Sequence, residues 1–324
     1  MENMERLKGK RILVTGGAGF IGGHLVLGLI RIGAKVSVLD IEVDPKSFFA
    51  LQNLSSHVSL GILDIRDKEK VFKYFDKSNF DYIFHLAAEP IVEEAFKNPY
   101  SAFETNIMGT VNILEAVRRN KKIRGIIVVS SDKAYGKTKK AYTEESPLRA
   151  DHPYDVSKAS ADLISQAYFA TYRLPVVITR FGNVYGEGDL HFDRIIPGIC
   201  KAIIKNEVLD VRSDGTYVRD YLYVNDVVNG CITLLKNIDT IHGEAFNFSS
   251  RDTLSVLDVV KKAEKILKAK IPYKILNTAK NEIPYQHLDD SKIEKLGWIS
   301  ECTLETVLKR VLLWYKKILG KYYE

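Results

Sequence analysis

The apolar residues of this chain alternate between short continuous runs and longer helical periods. Residues 11–15 form an apolar run rich in β-branched side chains, typical of a strand inside a parallel sheet. A helical period follows at residues 20–31. Further strands are predicted at residues 35–40, 57–63, 81–86, 124–131 and 174–179. This alternation predicts a doubly wound parallel α/β sheet that binds ligands at the carboxyl ends of its strands.

The second half of the chain predicts a smaller unit. From Gly182 onward the alternation loosens, although helices are indicated at residues 191–205, 225–236, 255–268 and 303–319. We therefore expect one domain over residues 1–180 plus about 225–250, and a smaller α/β domain over residues 181–224 and 251–324. The first domain also predicts a long amphipathic helix at residues 100–119. Asn106 inside it either holds neighbouring backbone or lies at the surface.

Composition is that of an ordinary globular protein. The chain has 324 residues, 46% hydrophobic and 27% charged, with a formal charge of +6. Lysine and arginine are scattered, which argues against a nucleic-acid partner. Three distant cysteines predict neither a disulfide framework nor a metal site, and they fit a cytoplasmic location. The polar N-terminus is not typical of a signal peptide, and no apolar run approaches the roughly 18 residues of a membrane span.

Three glycines follow the first predicted strand at a spacing of three: Gly16, Gly19 and Gly22. A strand, a glycine turn and a helix together form the fingerprint of a dinucleotide-binding unit. Its first glycine permits the tight turn, its second lets backbone approach a pyrophosphate, and its third lets helix and strand pack closely. The first helical turn, with Phe20 and Ile21, offers free N–H groups to the phosphates. We therefore expect a dinucleotide here.

The second predicted strand ends on Asp40, about twenty residues beyond the glycines. A carboxylate at this place accepts hydrogen bonds from both hydroxyls of an adenosine ribose and repels a 2′-phosphate. NAD is therefore favoured over NADP. Later loops, some with small residues that let backbone pass close to a cofactor, supply further candidate contacts at Asp64, Ile65, Leu86, Ala87 and Ala88.

Two Tyr-x-x-x-Lys patterns are candidates for acid–base chemistry. Tyr135 and Lys139 lie in a polar loop without a helical pattern. Tyr154 and Lys158 follow a proline, which favours a helix start, and they share one helical face. A nearby ammonium lowers the pKa of a phenol, which predicts a general base for a hydroxyl near neutral pH. Ser131, at a strand end, could hydrogen-bond the same oxygen.

Seven motifs then occur in order: TGGAGFIG at 15–22, HLAA at 85–88, SSDKAYG at 130–136, YDVSK at 154–158, RFGNVYG at 180–186, RDYLYVNDV at 219–227 and LGW at 296–298. This combination covers nearly the whole chain and resembles the extended short-chain dehydrogenase/reductase family of nucleotide-sugar epimerases and dehydratases. The resemblance implies a bound NAD or NADP, a nucleotide-sugar substrate and a homodimer of paired helices. It places Ser131, Tyr154 and Lys158 at the family's catalytic positions.

Asp132 and Lys133 bear on the activity within that family. Epimerases usually carry small or neutral residues here, and dehydratases usually carry Asp then Glu. The Ser-Asp-Lys version resembles CDP-glucose 4,6-dehydratase, so we expect an NAD-dependent nucleotide-sugar 4,6-dehydratase. In that reading Asp132, with a pKa raised by burial, is the acid for the C6 hydroxyl. Lys133 is either the base for the C5 proton, if desolvation keeps it partly neutral, or an orienting group.

Three alternatives stay open. A 4-epimerase of a UDP-sugar would use the same fold and cofactor. A regulator that binds NAD without turnover is a further class, although such proteins tend to lose the tyrosine or the lysine. The Asp132–Lys133 pair could also be a solvated turn after the strand.

Four residues are candidates for binding the substrate. Arg194 and Arg219 are expected at its diphosphate, because guanidinium forks suit phosphate oxygens, and Asn183 could bond the same group. Glu89 lies in AAEPIVEEA, which resembles the same dehydratase subgroup. For each of these a structural contact is the alternative. No role is assigned to three further residues that could line the pocket: Glu282, Gln286 and His287.

Overall fold

The centre of the structure is a parallel β-sheet, seen in a computed structural model that describes residues 6–278 and 282–322. The strands are β1 (Arg11–Thr15), β2 (Lys35–Asp40), β3 (Ser59–Ile62), β4 (Tyr82–His85), β5 (Gly125–Val129), β6 (Val176–Arg180), β7 (Val184–Tyr185), β8 (Leu209–Val211), β9 (Val218–Asp220), β10 (Leu222–Tyr223), β11 (Ala245–Asn247), β12 (Thr253–Ser255) and β13 (Tyr273–Ile275). Of these described strands, seven form the central sheet in the order β11-β6-β5-β4-β1-β2-β3, all parallel.

Both faces of this sheet are covered, as a doubly wound fold requires. Ile12 and Val14 of β1 point into one hydrophobic core, and Leu13 between them points into a second core on the opposite face. The six strands predicted in the first half all lie in the sheet, so the predicted fold class is confirmed. The third strand starts later than predicted, at Ser59, because Leu54–His57 form a 3-10 turn before it.

Helices connect the strands and pack on both faces. They are α1 (Phe20–Arg31), α2 (Phe48–Leu51), α3 (Lys68–Asp76), α4 (Val92–Lys97), α5 (Pro99–Phe103), α6 (Thr110–Arg119), α7 (Pro153–Tyr172), α8 (Ile195–Lys205), α9 (Val224–Asn237), α10 (Val256–Leu267), α11 (Ser291–Glu294) and α12 (Leu304–Tyr322). Shorter helical turns lie at Asp132–Tyr135 and Ile238–Thr240. In the described part of the chain, no helix has both the length and the apolar character needed to cross a membrane.

The helix predicted at residues 100–119 contains an unpredicted π-helical segment, Glu104–Gly109, between α5 and α6. Asn106 lies in this segment and is buried. Its side chain accepts a hydrogen bond from the Glu89 backbone N–H (2.6 Å) and donates one to the Glu89 carbonyl (3.1 Å). The expectation that Asn106 holds neighbouring backbone is therefore confirmed. Single π-helical turns are often found at functional sites.

Among the described residues after β6, strands pair into three two-stranded sheets, β7 with β10, β9 with β12 and β8 with β13. Residues 224–247 return to the central sheet, since α9 packs on α1 and β11 pairs with β6. The helix predicted at residues 191–205 begins only at Ile195. The preceding residues form a turn, in which the His191 N–H donates to Asp189.

A buried histidine joins the first and fourth strands to the π-helical segment. His85 Nδ1 lies 2.7 Å from Thr15 Oγ1, and Nε2 lies 3.0 Å from Thr110 Oγ1. Because Thr110 Oγ1 donates to the Asn106 carbonyl, it accepts from Nε2–H, so Nδ1 accepts from Thr15. Thr15 Oγ1 in turn accepts the Ala87 N–H at 3.4 Å. The neutral imidazole thus completes one chain of hydrogen bonds.

We predict that His85 makes stability fall in acid. Burial lowers its pKa from 6.5 to about 3, so between these values the unfolded chain binds a proton that the folded protein does not. The free energy of unfolding should therefore decrease as pH falls through this window, by up to about 1.4 kcal/mol per pH unit for this one proton. Urea unfolding at several pH values measures the slope, which His85→Gln should reduce. The exposed His57→Gln serves as control, and equal slopes in wild type and His85→Gln would contradict the prediction.

Candidate active site

The glycine turn brings three loops together at the carboxyl edge of the sheet. Gly16 has a φ of +70°, and a Cβ there would lie 2.7 Å from the Ala87 nitrogen. A Cβ at Gly22 would lie 2.0 Å from the Gly16 oxygen. Both glycines are therefore required by close backbone packing. Gly19 differs, since its Cβ would only touch the Gly16 oxygen at 3.4 Å.

The open space beside Gly19 is what a pyrophosphate cradle requires. Gly19 precedes the first turn of α1, and the first N–H groups of a helix, here at Phe20, Ile21 and Gly22, have no partner within the helix. These N–H groups form the positive end of the helix dipole, where phosphates bind. Among the three glycines of this turn, Gly19 is the one that contacts within the protein do not require, and it lies where the phosphates would bind. The residues present thus fit a dinucleotide.

Asp40 is hydrogen-bonded to the glycine turn. Its carboxylate accepts hydrogen bonds from the Ala18 and Ile41 N–H groups, both at 2.8 Å. Burial raises its pKa, and the two backbone donors oppose that shift. The carboxylate is therefore held at the end of β2, in the position expected for a partner of ribose hydroxyls.

The other predicted cofactor contacts lie in the same region but differ in environment. Asp64 is bound by the guanidinium of Arg66, which lowers the pKa of its carboxyl. Ile65 is buried, and its side chain fills the space beside Gly109. The loop of Leu86, Ala87 and Ala88 follows β4, with the backbone of Ala87 against the glycine turn.

The predicted acid–base residues converge at the ends of β5 and α7. Ser131 follows β5, and Tyr154 and Lys158 lie one turn apart near the start of α7. The Ser131 side chain lies near the Tyr154 phenol, where it lowers the pKa of the phenol against the effect of burial. Lys158 is buried, and its ammonium donates to the Val129 carbonyl at 2.6 Å. The structure therefore brings together all three residues that the sequence selects for this role.

Burial governs the protonation of these groups. It lowers the pKa of Lys158 to about 8 and raises the pKa of Tyr154, which the nearby Asp132 raises further. The expected lowering of the Tyr154 pKa by Lys158 is therefore wrong for this structure. Burial outweighs the opposing effect of Ser131 on the Tyr154 pKa, and the Lys158 ammonium is directed at a backbone carbonyl.

The second Tyr-x-x-x-Lys pattern is not a pair. Tyr135 is buried, donates to Asn247 Oδ1 at 2.7 Å and accepts from Arg180 at 2.8 Å. Lys139 is exposed. Tyr135 is thus part of the packing around the buried Arg180–Asp162 ion pair.

Asp132 is buried rather than part of a solvated turn, with only 3% of its surface exposed. Its carboxyl packs directly on Gly182, where a Cβ would lie 2.2 Å from Oδ1. Ser131 donates to Oδ1 at 3.1 Å, and Gln286 donates to Oδ2 at 2.8 Å. Burial raises the pKa of Asp132, as expected from the sequence, against the attraction of Lys133 and Arg219.

Two residues of this site were not assigned a role from the sequence. Gln286 contacts Asp132, although more than 150 positions separate the two in the chain, so no local pattern indicates the contact. Asp155 follows Tyr154 and is buried, with no hydrogen-bond partner at Oδ1. Burial raises its pKa to about 6, and Lys133 opposes the shift. Its place inside the Tyr-x-x-x-Lys motif, directly after Tyr154, is the one signal that could have identified it.

The predicted substrate ligands are held in different ways. Arg219 is buried, donates to the Val218 carbonyl at 2.8 Å and lies 3.3 Å from a Glu282 carboxylate oxygen. Asn183 has a left-handed backbone (φ 47°), and its buried Nδ2 has no hydrogen-bond partner. A partnerless amide N–H fits a ligand acceptor such as a phosphate oxygen.

Arg194 and Glu89 have partners within the chain. Arg194 Nη1 donates to both carboxylate oxygens of the buried Asp189 at 3.1 Å, while its charge still acts on the Tyr154 phenol. The Glu89 carboxylate accepts the Ile91 N–H at 3.1 Å. Their roles toward a substrate stay predictions.

This combination of a dinucleotide turn, a Ser-Tyr-Lys group and a parallel sheet defines a class of NAD-dependent oxidoreductive enzymes. The sequence profile of the NAD dependent epimerase/dehydratase family matches residues 12–249. The chain belongs to that family.

Two relatives are nucleotide-sugar dehydratases. A trifunctional UDP-glucose 4,6-dehydratase/3,5-epimerase/reductase of Arabidopsis thaliana is 34% identical over 94% of this chain. The chain spans about half of that protein, 47% of its length. The CDP-glucose 4,6-dehydratase of Salmonella typhimurium is 31% identical over 95% of this chain and 91% of its own.

Solved structures show the same fold with both activities of the family. The dTDP-glucose 4,6-dehydratase DesIV of Streptomyces venezuelae, a double mutant with NAD bound, has a TM-score of 0.87 at 28% identity, covering 97% of this chain and 99% of its own. The UDP-glucose 4-epimerase of Thermotoga maritima has a TM-score of 0.85 at 29% identity, covering 95% and 99%.

We predict that Gly19→Ala weakens NAD binding by about tenfold or more while the fold is retained, because the added methyl group enters the phosphate path. Its melting temperature should change by only a few degrees, since no protein atom blocks the Cβ. Titration calorimetry with NAD and thermal unfolding measure the two effects. Gly320→Ala, whose Cβ would have no atom within 4 Å, is the control. Unchanged NAD affinity in Gly19→Ala would refute the assignment.

Proposed function

We propose that this protein is an NAD-dependent nucleotide-sugar 4,6-dehydratase, with a CDP-linked glucose as its substrate. The observation that carries the proposal is the buried Asp132 carboxyl, which lies beside Ser131 in the turn after β5 and acts on the Tyr154 phenol of α7. An acid with a raised pKa next to an oxidising centre is what an elimination of water requires and an epimerisation does not.

In the first half-reaction Tyr154 takes the proton of the C4 hydroxyl. Burial raises the pKa of its phenol, and the neighbouring Ser131 side chain opposes that shift and so favours the phenolate. Lys158 contributes positive charge in the same buried layer. The glycine turn and Asp40 would hold NAD, which would supply the acceptor for the C4 hydride and its later source for C6.

In the second half-reaction Asp132 gives its proton to the C6 hydroxyl, which leaves as water. Burial keeps this carboxyl protonated to a higher pH than an exposed aspartic acid. Lys133 is either the base for the C5 proton or an orienting charge. In the first case the neutral Lys133 amine takes up the C5 proton; in the second its charge acts on the carboxyl groups of Asp132 and Asp155.

The substrate diphosphate is proposed to bind between Arg219 and Asn183, with Arg194 contributing charge from α8. The Asn183 amide without a partner and the buried Arg219 guanidinium support this placement. We further propose the division expected from the sequence, an NAD domain over residues 1–180 plus about 225–250 and a nucleotide-sugar domain over 181–224 and 251–324. The pairing of β11 with β6 supports the return of the chain to the first domain.

We predict that wild-type protein removes one water from a CDP-hexose, seen by mass spectrometry in a panel of CDP-, GDP-, TDP- and UDP-sugars. Asp132→Asn should slow water loss by about a hundredfold or more, because the amide cannot donate a proton as an acid. Asp76→Asn on α3 is the matched control. Asp76 is exposed, and its carboxylate makes a long ion pair with Arg119, at 3.7 Å.

The outcome separates the dehydratase from its competitor. A 4-epimerase, the alternative that the Thermotoga maritima structure keeps open, would return an epimer of unchanged mass. Its rate would be nearly the same with Asp132→Asn. That pair of results would overturn the proposal.

A homodimer is part of the proposal. Five large apolar side chains on α4, α5, α7 and the π-helical segment are more than half exposed: Phe96, Tyr100, Met108, Leu163 and Tyr172. Exposed apolar side chains on neighbouring helices support a helix-paired interface.

We predict that Leu163→Glu converts a dimer into a monomer, because the carboxylate would be buried without a partner in the interface. Light scattering coupled to size-exclusion chromatography measures the mass. Leu313→Glu, on the equally exposed side of α12, should stay dimeric. A wild-type monomer, or a Leu163→Glu dimer, would contradict this interface.

A further inference from the structure

Gln286 reaches from the last part of the chain into the loop after β5. Its Nε2 donates to Asp132 Oδ2 at 2.8 Å, and its Oε1 lies 3.5 Å from Lys133 Nζ. The side chain is 99% buried, since only 1% of the residue's surface is exposed. One amide group therefore contacts both Asp132 and Lys133, the two residues proposed to serve the loss of water.

The backbone around Gln286 is fixed on two sides. The Gln286 N–H donates to the Val218 carbonyl at 3.1 Å, and the Leu288 N–H donates to Asp220 at 2.8 Å. On the other side the Tyr142 N–H donates to the His287 carbonyl at 2.8 Å. Residues 284–289 thus connect β9 to the segment that follows Lys133. The Gln286 amide reaches the site from a segment whose backbone is hydrogen-bonded on both sides.

The orientation of the amide follows from the chemistry of its neighbours. An ammonium group has only donors, so the carbonyl oxygen of Gln286 faces Lys133. The NH₂ group then has to face Asp132, where it donates to the carboxyl. The charge on Lys133 therefore determines which end of the amide the acid meets.

We propose that Gln286 is a positioning residue that holds the Asp132 carboxyl and the Lys133 ammonium in one fixed relation for the loss of water. This inference rests on the dehydratase function proposed above. Gln286 is assigned no part in the C4 oxidation, because within the described residues its side chain hydrogen-bonds Asp132 and Lys133 and not Ser131, Tyr154 or Lys158.

The amide also sets the protonation of the acid. Its N–H stabilises the carboxylate form of Asp132, as does the hydroxyl of Ser131. Removing the amide donor should therefore let Asp132 keep its proton to higher pH. A residue with a merely structural role would not move this pH dependence.

The test is Gln286→Met in the full chain, a change that keeps the length and volume of the side chain but removes both hydrogen-bonding groups. With the nucleotide-sugar that wild type dehydrates, reduced nicotinamide should form at nearly the wild-type rate, seen by its absorbance. Water loss, followed by mass, should slow by about tenfold to a hundredfold. The fall of the water-loss rate at high pH should move up by about half a pH unit to one unit.

Two variants complete the experiment. Gln52→Met, at an exposed position, controls for the substitution itself and should behave as wild type. Gln286→Glu keeps the acceptor for Lys133 but adds a carboxylate beside Asp132, so it should move the same limb of the pH profile further upward. If Gln286→Met does not fold, the pH profile of Gln286→Glu provides the second test.

Three results would overturn the inference. Equal slowing of both half-reactions would make Gln286 a structural residue, and so would slow water loss with an unshifted pH profile. Wild-type rates in both variants would leave it without any role. A wild-type protein that returns only an epimer would instead refute the dehydratase function, which is visible before any variant is made.

Discussion

Close backbone packing at the carboxyl edge of the sheet is the constraint on which the rest of the site depends. The Cα of Gly16 lies against the backbone of Ala87 with no room for a side chain between them. The hydrogen-bonded chain through His85 continues this contact into the π-helical segment, where Asn106 holds Glu89. Because parallel strands end at one edge, the loops after β2, β5 and β6 reach the same place. A shift of any one loop would displace the others.

Burial then decides the chemistry of the groups placed there. The pKa of Asp132 and that of Tyr154 are raised and that of Lys158 is lowered, so all three move toward the uncharged form. Hydrogen bonds from Ser131 and Gln286 favour the charged form of Asp132 and oppose the effect of burial. An acid whose pKa is raised by burial, next to a phenol in the same buried layer, suits an oxidation followed by an elimination.

Much of the fold could be predicted because its signals are local. The β-branched run of β1 and the period of α1 lie within a few residues of each other, and the glycines between them follow from the turn geometry. Predictions failed where short-range contacts replace the pattern, as at the 3-10 turn of Leu54–His57 and at the turn before Ile195. The π-helical segment was also missed, because its sequence keeps a helical period.

The sequence by itself determined the sheet, the dinucleotide turn and the placement of Tyr154 and Lys158 one helical turn apart, since each depends on residues close together in the chain. Only the tertiary structure decided the direction of the Tyr154 pKa, the burial of Asp132 against Gly182, and the contact with Gln286. These depend on segments that meet only after the chain has packed. Burial and hydrogen bonding are properties of that packing, and the spacing of residues in the sequence does not predict them.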